Sequence, residues 1–112
     1  MLLDKNKCCL IIVDIQERLA PAMHDGGQEA IRNAAILMQA AKRLGVPVLV
    51  SEQYPRGLGR TVPQLAEFMP DGGAIEKLEF ACTGNAEFAA KLKELDKKQI
   101  VIAGMEAHIC VL

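Results

Sequence analysis

The chain has 112 residues, 51% hydrophobic and 24% charged, with 13 basic against 14 acidic side chains and a formal charge of -1. That length bounds it to one domain, residues 1–112, with a single buried core. The charge balance offers no basic face to nucleic acid or an anionic membrane, and no apolar stretch reaches the roughly 18 residues of a membrane span. Leu2-Leu3 gives way at once to Asp4 and Lys5, without the apolar core of a secretory signal, so the chain reads as soluble and cytoplasmic.

The first strand is Cys8-Cys9-Leu10-Ile11-Ile12-Val13, apolar at every position as in a strand covered on both faces. Cys8 and Cys9 are neighbours that must point opposite ways, which suits reduced thiols better than a disulfide framework. The strand ends in Asp14-Ile15-Gln16, followed by a loop with Pro21, Gly26 and Gly27. From Gln28 to Leu44, Ile31, Ala34, Ala35, Met38, Ala41 and Leu44 recur at helical spacing. Ile36 and Leu37 broaden the stripe, and Gly45 closes the helix.

Val46–Val50 is the second strand, and Tyr54–Arg60 a loop rich in proline and glycine. Arg56 and Arg60 either cover a site and meet an acidic substrate or touch only water. Gly57-Leu58-Gly59 lacks the third glycine and the following helix of a phosphate-binding fingerprint. Pro63–Met69 reads as a short helix, Ala74–Lys77 as the third strand, and Gly84–Leu95 as a helix with Asn85 as N-cap. Ile100–Ala103 is the fourth strand. It breaks at Gly104, and Cys110 follows near the start of a helix, where unpaired N–H groups and the dipole favour a thiolate. Strands alternating with helices specify an α/β fold: three layers, Rossmann-like, with a mostly parallel sheet between helices. Ligands of such sheets bind outside the carboxyl ends of the strands, where Asp14, Lys77 and Cys110 all fall.

Four segments in order carry a resemblance: Ile12–Gln16, Glu52–Gly59, Ile75–Lys77 and Gly104–Val111. Together they resemble the isochorismatase-like cysteine hydrolases along essentially the whole chain. Glu52-Gln53-Tyr54-Pro55 and Glu106-Ala107-His108-Ile109-Cys110 are most similar to the isochorismatase domain-containing subgroup. The resemblance implies Cys110 as nucleophile, Asp14 as base, and Lys77 as the cation that holds Asp14 and lowers the thiol pKa. It also implies an oxyanion hole from the backbone N–H groups of Glu106 and Cys110, shaped by a cis peptide between Met105 and Glu106. The expected function is metal-independent hydrolysis of a small amide, ester or enol-ether-like molecule.

No cofactor is expected. Nicotinamidases of that superfamily carry metal ligands in and after the loop that follows the second strand, but Ser51–Pro55 holds no histidine, and His24 and His108 alone are too few. Gln16, Tyr54, Phe80 and His108 are pocket candidates, although aromatics at positions such as Tyr54 and Phe80 more often serve packing, and for His108 a structural role is favoured over lining the pocket. Members of the superfamily run longer, so the expectation is a partial sequence, truncated after the fourth strand with an apolar sheet edge exposed. A homo-oligomer is expected by the same resemblance. The rival readings are a catalytically silent binding or assembly module, and a thiol redox protein, which would lack the usual C-x-x-C pair.

Overall fold

The computed structural model describes residues 4–23, 25, 27–77, 86–96 and 99–104. Six consecutive apolar residues cannot present a polar face to water, and β1 (Cys8–Val13) is buried at all six positions. It lies inside a four-stranded sheet of order β3-β2-β1-β4, in which β2 is Val48–Gln53, β3 Ile75–Lys77 and β4 Gln99–Gly104. Every ladder is parallel. The expected α/β architecture is therefore the observed one.

Strand alternation divides β1 between two cores. Leu10 and Ile12 face α1 (Gln28–Leu44), packing with Ala34, Met38 and Ala41. Val62 and Leu65, the latter in a 3-10 turn over Pro63–Phe68, complete that cluster. Cys9, Ile11 and Val13 face the other way, with Ile75 and with Phe88 of the last described helix (Ala86–Leu95). Helices thus cover both faces, as a parallel sheet requires. Cys8 and Cys9 are buried free thiols. No helix among the described residues is long and apolar enough to cross a membrane.

Several boundaries differ from the sequence expectation. The second strand starts and ends later than Val46–Val50, because Val46 donates its N–H to Ala41 O to close α1, while polar Ser51, Glu52 and Gln53 find buried partners and extend the ladder. The proline–glycine loop contains one helical turn, α2 (Pro55–Leu58). β4 gains Gln99 and Gly104. The stripe on α1 is narrower than its composition suggests: Ile36 and Leu44 are 57% and 54% exposed, since only the face through Ala34, Met38 and Ala41 meets the sheet. Gly45 does cap α1, in the left-handed region. Asn85, proposed as the next N-cap, lies outside the described residues. The apolar edge is present on β4, where Ile100 and Ile102, opposite Cys9 and Ile11, remain exposed.

Candidate active site

Asp14 follows the last residue of the central strand, and its backbone leaves the ladder abruptly, with φ of 53°. Aspartate is among the few residues that tolerate this left-handed region. Its side chain is buried, and Oδ1 accepts a hydrogen bond of 2.7 Å from Ser51 Oγ on β2. The Asp14 N–H is also donated to Ser51 O, at 3.2 Å. The carboxylate is thus fixed at the carboxyl end of the sheet, where parallel α/β folds place their ligands.

The residues after Asp14 are tied to the segment after β2. Gln16 is fully buried, and its amide is spent on backbone: Nε2 donates to Gln53 O and Gly59 O at 2.9 and 2.7 Å, and Oε1 accepts from Gln53 N at 2.6 Å. Backbone bonds continue the seam, from Glu17 N to Arg60 O, Arg18 N to Leu58 O and Val62 N to Ile15 O. Gln16 therefore holds two rim loops together. Gln16→Ala is expected to cost about 2–3 kcal/mol, because it leaves buried backbone groups without this partner; urea unfolding would measure it, and a loss below about 0.5 kcal/mol would contradict the assignment.

Arg60 does not touch water alone. It reaches Glu52 of β2 at 3.1 Å and Glu76 of β3 at 2.5 Å, two carboxylates that sit opposite each other in the ladder. Facing like charges repel across a sheet, and the guanidinium between them removes that repulsion. The pairing with Glu76 first, and Glu52 second, pushes the Arg60 pKa above its ordinary value. Its contribution is therefore fully present below the ordinary arginine value and is lost only as pH rises beyond it, so the clamp holds at neutral pH. Glu52 is otherwise satisfied by Thr61, whose N–H and hydroxyl donate to Oε2 at 2.7 and 2.8 Å.

Lys77 ends β3 opposite Gln53. Asp14 lies just past β1, and β2 alone separates the two strands, a span of about 10 Å across two strand spacings. On the other side of β1, Val13 is paired with Gly104 at the exit of β4. The chain passes from there toward Cys110. Cys110, Glu106, His108 and Phe80 lie outside the described residues, as do the Met105–Glu106 peptide and His24. Tyr54 is half exposed, with φ of 37°, its ring laid against Gly57.

A cleft of about 470 Å³ opens between the start of α1 and the exit of β4, with Met23, Asp25, Glu29, Asn33 and Gly104 among its walls. The Asp25 carboxylate is engaged there by the N–H groups of Gly27 and Glu29, at 2.9 and 3.0 Å. Among the described residues, no group of three or more His, Cys, Asp and Glu side chains is placed to hold a metal ion.

The sequence reading missed Ser51, Glu52 and the clamp by Arg60. One signal pointed to them: three polar residues following Val48-Leu49-Val50 without a turn residue between.

A parallel sheet with a buried carboxylate just past the end of its central strand, one residue beyond the pair that strand makes with a glycine exit from its neighbour, defines a class of α/β proteins with a rim site. The family profile described as Isochorismatase domain matches residues 8–112, and the chain belongs to that family. Isochorismatase domain-containing protein 1 of Danio rerio is 40% identical over 105 residues, covering 93% of this chain and 35% of the relative. The solved MAR1 ribonuclease of Caenorhabditis elegans is 33% identical with a TM-score of 0.84, covering 97% of this chain and 55% of that one. Two YcaC proteins share the fold at a TM-score of 0.85 and the same coverage: that of Escherichia coli, an octameric hydrolase of unknown specificity, at 29% identity, and that of Pseudomonas aeruginosa, solved with hexane-2,5-diol and covalent acrylamide, at 28%. The chain spans about half the length of these structures and about a third of the fish relative.

Proposed function

We propose that this protein is a metal-independent cysteine hydrolase of the isochorismatase type, a single domain acting on a small amide, ester or enol-ether-like substrate. The observation that carries the proposal is Asp14: a carboxylate buried at the sheet's carboxyl end, fixed by Ser51, one residue beyond the pair that joins β1 to the strand leading to Cys110. In this reading Asp14 takes the proton of the Cys110 thiol, and the sulfur attacks the substrate's carbonyl carbon. The carbonyl π electrons move to oxygen, where the backbone N–H groups of Glu106 and Cys110 receive the negative charge. Collapse of the adduct breaks the bond to the leaving group, which departs with the proton held by Asp14. Water then attacks the thioester, giving a proton to Asp14; sulfur leaves and recovers a proton, restoring both groups.

Lys77, on the strand beyond β2, is assigned to orient Asp14 and to favour the thiolate through its charge. Gln16, Tyr54, Phe80 and His108 are proposed to line or support the pocket, Gln16 by holding the rim loops. The hydrolase description of the E. coli neighbour and the covalent acrylamide on the P. aeruginosa neighbour support an electrophile-trapping site. The octameric state of the former supports a homo-oligomer here. Buried free thiols at Cys8 and Cys9 fit a reducing compartment such as the cytoplasm.

Turnover of a panel of small amides and esters tests the reading. Cys110→Ala is expected to lower kcat by about three orders of magnitude or more, since a nucleophile acts as a unit with its base. Intact oligomers that form no adduct with acrylamide at Cys110 would instead make the protein an assembly module.

A further inference from the structure

We infer that Ser51 is a positioning residue for the base, an inference that rests on the hydrolase reading above. Ser51 is fully buried, paired with apolar Val13 on one side and apolar Ile75 on the other. A serine at such a position needs a reason, because an unpartnered buried hydroxyl is costly. Asp14 supplies it: the Ser51 hydroxyl donates to Oδ1 at 2.7 Å, and the Ser51 carbonyl accepts the Asp14 N–H at 3.2 Å.

The two contacts do different things. The carbonyl anchors the backbone of Asp14 as it leaves the strand in the left-handed region. The hydroxyl stops the carboxylate rotating about its terminal torsion, which is intrinsically broad. With Oδ1 held, the carboxylate plane keeps the orientation in which it exchanges the proton with Cys110. The role assigned to Ser51 is exercised through Asp14. Losing the hydroxyl removes one of the contacts that orient the base, and misplacement on the scale of an ångström costs about 100-fold in rate.

The test is the acrylamide alkylation rate of each cysteine, read by peptide mass spectrometry at one pH on the full protein. Cys8 and Cys9, buried in β1, serve as fold controls. Ser51→Thr and Ser51→Val have nearly the same shape and share any packing strain, differing chiefly in the hydroxyl. Cys110 in Ser51→Val is expected to react about 10- to 100-fold more slowly than in Ser51→Thr, with Cys8 and Cys9 silent in both. Equal Cys110 rates in the two variants would overturn the role of Ser51. Asp14→Asn separates the two levels: if it slows Cys110 while Ser51→Val matches Ser51→Thr, only the Ser51 inference falls. If Asp14→Asn leaves Cys110 unchanged, the hydrolase reading itself falls, and this inference with it.

Discussion

Phe88→Ala is expected to destabilise the fold by about 3–5 kcal/mol, a large share of the 5–15 kcal/mol typical of a domain. Phe88 is the largest fully buried side chain described, and it carries the contact between its helix and the second face of the sheet. Cys9, Ile11, Val13 and Ile75 close around it, with Leu49, Leu92 and Leu95 at the margin. Truncation leaves a cavity that these strand residues cannot fill, because the ladders on either side fix them. Urea denaturation should show the midpoint falling with little change in slope. Cys9, which shares the cluster, should become open to alkylation at lower urea than before. A loss under about 1 kcal/mol would mean that this helix does not seat on the sheet as described. Ile36→Ala provides the contrast: that side chain is 57% exposed, and its truncation is expected to stay within about 0.5 kcal/mol.

Gly104→Ala is expected to destabilise the fold by the opposite route. A Cβ at Gly104 would lie 2.5 Å from Val13 O and 3.0 Å from Val13 Cβ. The first of these is backbone in a paired strand and cannot swing aside, so β1 and β4 must separate where they end. Overpacking of this kind costs about 1–3 kcal/mol and sometimes more. The displaced carbonyl belongs to the residue before Asp14, so the damage reaches the site as well as the fold. The expected result is a lower unfolding midpoint together with slower alkylation of Cys110, at urea concentrations where Cys8 and Cys9 remain protected. A variant with wild-type stability and reactivity would show that the close approach of the two strands is dispensable.

These two positions illustrate what could be read from the chain beforehand. Gly104 was legible as the end of a strand, since an apolar run stopping at glycine marks an exit. That it sits against Val13 was not, because the contact depends on which strand β1 accepts as its second neighbour. Phe88 was one of several apolar residues in a helix; its place as the keystone of a second core follows only from the sheet's two-sided geometry. The cluster on α1 shows the same limit. Periodicity gave a helix with a wide apolar face, yet docking selected Ala34, Met38 and Ala41 and left Ile36 and Leu44 outside.

The candidate site divides along the same line. Asp14, Lys77 and the exit toward Cys110 were assigned to one rim from strand ends alone, and the sheet order β3-β2-β1-β4 puts that exit beside the strand of Asp14 and the strand of Lys77 one further across, beyond β2. Arg60 was read as a loop arginine for substrate or solvent, and the sequence did not show that it joins Glu52 to Glu76. Gln16 was read as a pocket residue; what the sequence did not show is that its amide bonds to backbone 37 and 43 positions away.

The sequence by itself determined the alternation of strands and helices, the parallel sheet with both faces covered, and the family to which residues 8–112 belong. It could do so because burial on two faces demands unbroken apolar runs, and strand ends follow from where those runs stop. Only the tertiary structure decided what holds the rim: the Ser51 hydroxyl on Asp14, the Gln16 amide between two loops and the Arg60 clamp on two carboxylates. Each is a polar contact between segments distant in sequence or on separate strands. It depends on the register of β1 against β2 and of β2 against β3, and a slip of one residue would turn every such side chain to the opposite face.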